Sequence, residues 1–187
     1  SKETRQILPR IGAALRQTAT TYQRPVRPFR AALQGRKAWK WPARLLRDLR
    51  YACSPLPAVP PHWKAEHVSR FDTSLDTCLA TPLPDAIRSE RGSALLNYWL
   101  ECPAARMAGY LIRSQGETIG YFLTSSVPNT ARIADIWVRI SSVDQWMAAY
   151  GLAFRTATQS DVLTVETMTS HPSAREALDR MGLRRSD

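Results

Sequence analysis

At 187 residues, with 44% apolar side chains, the chain is long enough for one domain with a real core plus an appendage, and too apolar to be disordered throughout. No apolar run approaches the roughly 18 to 20 residues that span a bilayer, and no leader-like stretch opens the sequence, so the expected compartment is the cytoplasm. The net charge of +10 is unevenly placed: residues 1–64 carry 14 Lys and Arg against Glu3 and Asp48, and the remainder is slightly acidic.

The first residue is Ser1, not Met, as in a processed chain or a piece of a longer one. From Glu3 to Thr20, Ile7, Leu8, Ile11, Ala14 and Leu15 recur at helical spacing, interrupted by Pro9. The run from Arg24 to Pro28 ends that pattern. A second basic amphipathic helix starts at Pro42, with Leu45, Leu46 and Leu49 beside Arg44, Arg47 and Arg50. Residues 1–53 are therefore expected to form a basic helical arm. Pro55, Pro57, Pro60 and Pro61 make 54–64 a linker, because each removes a backbone donor.

Residues 65–187 carry the periodicity of a folded domain. Ala65 to Phe71 predicts a short strand, Asp72 or Thr73 a cap for a helix through Leu79, and Ser93 a cap for a helix ending before Pro103. Met107 to Arg113 and Thr118 to Thr124, joined at Ser114-Gln115-Gly116, predict a β-hairpin. Ala131 to Ile140 is apolar enough to be a central strand. Ser141 or Ser142 caps the next helix, whose Trp146, Tyr150 and Phe154 form an aromatic stripe suited to core packing. Val162 to Met168 predicts a strand, and Pro172 to Met181 a helix closed by Gly182.

Few residues announce chemistry. Cys53, Cys78 and Cys102 lie apart with no CxxC pair, and His62, His67 and His171 are scattered, so free thiols and no structural metal are expected. Asp135 is the acid on the expected central strand, either a general base whose pKa burial raises or a carboxylate held by neighbouring donors; Glu166 on the next strand is a weaker version. Ser141 and Ser142 suit either a phosphate or simple helix caps. The arm, over residues 24–50, has cations interleaved with Phe29, Trp39 and Trp41. It suits nucleic acid, an anionic membrane surface, or packing against a preceding acidic domain.

The order of elements, with Arg91, Leu95-Leu96-Asn97-Tyr98-Trp99, Pro103, Gly120-Tyr121, Ile133-Ala134-Asp135 and the helix from Ala174 to Leu183, resembles the Gcn5-related N-acetyltransferase (GNAT) superfamily. It is most similar there to the C-terminal half of bacterial tandem acyltransferase-like proteins, over roughly residues 65–187. The resemblance implies a mixed α/β (α+β) fold, a mostly antiparallel sheet flanked by helices and preceded by the basic arm. It also implies transfer of an acyl group from acetyl-CoA or another acyl-CoA to an amine. By the same resemblance Trp137 and Val138 would bind the pantetheine, Ser141 and Ser142 the diphosphate, Arg139 a further phosphate, and Asp135 would deprotonate the amine through water. An upstream acyltransferase domain or a second copy of the chain is the implied partner. Two departures favour an alternative, a catalytically degenerate module for binding or interaction: the junction from Val138 to Gln145 has no glycine, and Leu178 stands where the family's Tyr is expected; the chain also stops just after Gly182-Leu183, leaving the closing strand short or absent.

Overall fold

The computed structural model describes residues 19–33, 41–80, 91–139 and 142–186. Those residues build a seven-stranded sheet in the order β2-β3-β4-β5-β6-β1-β7. The strands are β1 (Thr20–Pro25), β2 (Trp63–Val68), β3 (Arg106–Ser114), β4 (Glu117–Val127), β5 (Thr130–Val138), β6 (Thr164–Thr169) and β7 (Arg184–Ser186). The helices are α1 (Pro28–Leu33), α2 (Trp41–Cys53), α3 (Ser74–Leu79), α4 (Ser93–Leu100), α5 (Val143–Ala157) and α6 (Pro172–Arg180). Every ladder is antiparallel except β5 with β6. This is the mixed, mostly antiparallel architecture expected.

Each face of the sheet has its own core. On one, Trp146, Ala149, Tyr150, Ala153 and Phe154 of α5 and Ala174, Ala177 and Leu178 of α6 pack on Ile112, Phe122, Ile133, Val138 and Val165. On the other, Phe71, Leu75, Leu79 and Leu96 cover Leu111, Tyr121, Leu123 and Trp137. Strands buried on both faces explain why β4 and β5 read as nearly continuous apolar runs.

Local signals are honoured with small shifts. Gln115 and Gly116, both at positive φ (50° and 88°), turn β3 into β4 as a two-residue hairpin requires. Gly182, at φ 66°, ends α6. The cap expected at Ser93 is different: Gly92 is the N-cap of α4, and Ser93 gives its N–H and Oγ to Asp76 at 2.6 and 2.9 Å. A carboxylate from α3 thus does from outside what a capping side chain would do from within.

The arm needs correcting. The helix expected from Glu3 to Thr20 lies outside the described residues apart from its last two, and Thr20–Pro25 is a strand between β6 and β7. Tyr22 in it is fully buried. β1 pairs with β6 from Thr20↔Thr169 to Pro25↔Thr164 and with β7 from Thr21↔Ser186 to Gln23↔Arg184. Proline is tolerated because it ends the strand, where no further ladder donor is needed. The closing strand β7 is present and short, three residues.

A gap between two parallel strands as the candidate site

β5 and β6 part company. Their pairing runs from Thr130↔Thr164 to Ile133↔Thr167 and stops, although β5 continues to Val138 and β6 to Thr169. At the last rung Thr167 Oγ1 donates to the Ile133 carbonyl at 3.4 Å. Just beyond it, β4 and β5 shift register: Leu123 faces Asp135 and Thr124 faces Ile133, leaving Ala134 unopposed. Such a bulge adds twist and bends the strand away from its neighbour. From Ala134 to Val138, β5 is laddered to β4 on one edge and to no described strand on the other. An interior strand with an open edge offers backbone N–H and C=O groups to an extended ligand.

Asp135 lies at the start of this open stretch. Its carboxyl accepts from Tyr121 Oη at 2.5 Å on one oxygen and from the Arg91 guanidinium at 3.0 Å on the other. Burial pushes its pKa up, against the opposing pull of Arg91, of the Tyr121 phenol and of the Ile136 amide. A carboxylate with only 12% of its side chain exposed is a stronger base than a solvated one, yet here each oxygen already has a donor. Both partners come from outside β5: Tyr121 faces Trp137 across the β4–β5 ladder, and Arg91 precedes α4.

Because β5 and β6 are parallel, the helices after them start at the same end of the sheet, and the mouth of the gap lies between two helix N-termini. At α5, Ser142 closes a capping box: its Oγ accepts from the Gln145 N–H at 3.3 Å, and its own N–H and Oγ donate to Gln145 Oε1 at 3.4 and 2.9 Å. At α6, His171 is the N-cap, its Nδ1 accepting from the Ala174 N–H at 3.4 Å, and burial lowers its pKa. Trp146, one turn into α5, meets the His171 ring at 5.2 Å between centroids. Tyr150, a turn further on, is buried, and that burial drives its phenol pKa well up.

A scan of protein-family models matches nothing, and neither does a search of curated proteins. Solved structures do match. A GCN5-related N-acetyltransferase from Sphaerobacter thermophilus superposes with a TM-score of 0.52 at 13% identity, over 100% of this chain and 54% of that one. The fold is that of a GCN5-related N-acetyltransferase. A functionally unknown conserved protein from Staphylococcus epidermidis matches at 0.50 and 9% identity, over 100% of this chain and 64% of that one. A tandem GNAT protein from the clavulanic acid biosynthesis pathway matches at 0.48 and 14% identity, over 99% and 57%. The chain thus spans between about half and two thirds of the length of these structures.

Within this GNAT fold the residues expected at the site are brought to one region but present different groups to it. The side chains of Trp137 and Val138 are buried in opposite cores, so only their backbone reaches the open edge. Arg139 turns towards Glu117, at 3.4 Å, and its N–H bonds the Ile119 carbonyl. Ser142 is the self-satisfied cap just described, and Ser141 lies outside the described residues. Leu178 is wholly buried in the α6 core. Glu166 is paired across the sheet with Gln23 and Arg132. The sequence reading missed His171 and the cross-gap role of Trp146; Pro172 directly after His171 was the available signal for an N-cap.

Surface cavities lie beside the start of α5 and near α6. One, of about 350 Å³, is bounded by Trp63, Glu117, Arg139 and Gln145, and the other, of about 250 Å³, by Pro57, Met147 and Met181. Neither is lined by a residue of β6. Several arm cations are engaged within the chain: Arg24 is buried and donates to the Ala52 and Ser54 carbonyls, Arg27 and Arg30 pair with Asp161, and Arg47 pairs with Asp48. No described helix is long and apolar enough to cross a membrane.

Proposed function

We propose that this chain binds an acyl-CoA along the open edge of β5 and transfers its acyl group to an amine. The observation that carries the reading is the parting of β5 from β6 after Ile133↔Thr167, which leaves an interior strand with backbone donors and acceptors unladdered. The amides of a pantetheine arm match such an edge as an added strand would. The diphosphate end fits less well: Ser142 is committed to Gln145, and Asp144 stands in the first turn of α5, where its charge opposes a phosphate. Binding would therefore rest on the pantetheine half.

When bound, the thioester supplies the acyl group, and the chain's residues position it. The β5 edge would orient the thioester, and Asp135, its basicity raised by burial, would take the amine proton through water as the C–N bond forms and the C–S bond breaks, the released thiolate of coenzyme A leaving as the thiol with that proton. A second reading, binding without turnover, draws on the two donors already bonded to Asp135. Calorimetry with acetyl-CoA, followed by product detection against a panel of primary amines, separates them. Saturation at about 100 times the dissociation constant is expected to stabilise the fold by about 2.7 kcal/mol. No heat and no thermal shift at millimolar acetyl-CoA defeats both readings, and binding without any acylated amine leaves the second.

A further inference from the structure

Trp146 holds a donor that the fold does not use. The side chain is 4% exposed, and its Nε1–H has no hydrogen-bond partner among the described residues. Buried indole N–H groups ordinarily find an acceptor, because leaving one unmet costs stability. The neighbouring Tyr150, one turn along the same helix, is equally buried.

The position of that open donor is specific. Trp146 belongs to α5, which follows β5, and its ring lies 5.2 Å from His171, which follows β6. The pair therefore bridges the two strands at the end where their ladder has already stopped. Tyr150 packs against Trp146 with ring centroids 5.9 Å apart. The indole is set between two aromatic neighbours where the helices after β5 and β6 begin, with its N–H left unmet.

We propose that the Trp146 Nε1–H is a ligand-binding donor of the β5–β6 gap, donating to a carbonyl oxygen of an acyl- or amide-bearing ligand. The choice of carbonyl ligand rests on the acyl-CoA reading above, whereas the donor is a property of this chain. With Ser142 self-capped and Asp144 in the first turn of α5 opposing a phosphate, a neutral carbonyl is the acceptor these surroundings favour.

The test follows the indole N–H directly. With ¹⁵N-labelled tryptophan, the Trp146 resonance is assigned by its loss in Trp146→Phe and followed during titration with acetyl-CoA and, separately, with the acetyl thioester of N-acetylcysteamine. A shift of that resonance is expected with both. Trp146→Phe, which keeps an aromatic ring, is expected to weaken acetyl-CoA binding about 3- to 10-fold, one hydrogen bond's net worth. If acetyl-CoA binds while the resonance stays still and Trp146→Phe binds equally well, the inference falls and the acyl-CoA reading stands. If the short thioester moves the resonance and acetyl-CoA does not bind, the inference stands and the acyl-CoA reading falls. If neither ligand moves it, the inference is overturned, and this arm needs no folded variant beyond the assignment.

Discussion

The hydroxyl of Tyr22 in β1 donates to the carboxylate of Asp179 in α6 at 3.0 Å, across 157 positions of sequence. Arg185, just beyond α6, holds the same carboxylate through two further bonds. One tyrosine from the amino-terminal segment thus ties the last helix to the sheet edge.

That tie gives a graded prediction. Tyr22→Phe, which removes only the hydroxyl, is expected to lower unfolding free energy in urea by about 1 kcal/mol. Tyr22→Ala, which empties a fully buried ring position, is expected to cost about 3 to 5 kcal/mol. Equal, near-zero losses for both would mean that β1 does not belong to the cooperative unit.

Asp135 predicts a pH dependence whose sign can be worked out. Its folded pKa is raised, chiefly by burial, so between the ordinary carboxylate pKa of about 3.9 and the folded value the native state holds more proton than the unfolded one. The Asp135 contribution to stability is therefore largest at low pH and declines as pH rises through that window. Asp135→Asn should remove this decline, so stability relative to wild type shifts in the variant's favour as pH rises from about 4. Parallel pH profiles for the two proteins would contradict the shift.

Gly120 and Gly109 separate two kinds of close approach. A Cβ at Gly120 would sit 2.3 Å from the Trp137 carbonyl oxygen and 3.0 Å from Val138 Cα, all backbone that cannot step aside without opening the β4–β5 ladder. Gly120→Ala is expected to cost at least about 3 kcal/mol. At Gly109 the obstruction is the Phe71 ring, at 2.8 Å, and a ring can tilt, so Gly109→Ala should cost less, about 1 to 2 kcal/mol. The reverse order in chemical denaturation would show that the strand contact is softer than the ring contact.

Ser142 tests cap against ligand residue. Its capping box with Gln145 predicts that Ser142→Ala loses about 1 kcal/mol of stability with no ligand present. Unchanged unfolding combined with weaker acetyl-CoA binding would instead return Ser142 to the diphosphate role.

What the sequence determined by itself was local. The hairpin over Gln115-Gly116, the caps at Ser142 and Gly182, and the strand and helix order from Arg106 onward follow from turn chemistry and from periods of 2 and 3.6, which each segment carries alone. What only the tertiary structure decided was every long-range pairing. The segment Thr20–Pro25 opens on the strand-favouring Thr20, Thr21 and Tyr22 but is short, polar and ends in proline; it is a strand because β6 and β7 each offer it an edge and Tyr22 is buried there. Asp135 was legible as a carboxylate on a central strand, but Arg91 and Tyr121 reach it only when α4 and β4 are brought alongside. The gap itself is invisible in any window of residues, since it is the place where two strands, each regular, stop sharing hydrogen bonds. Non-local contacts of this kind depend on chain closure over long loops, which local propensity does not encode.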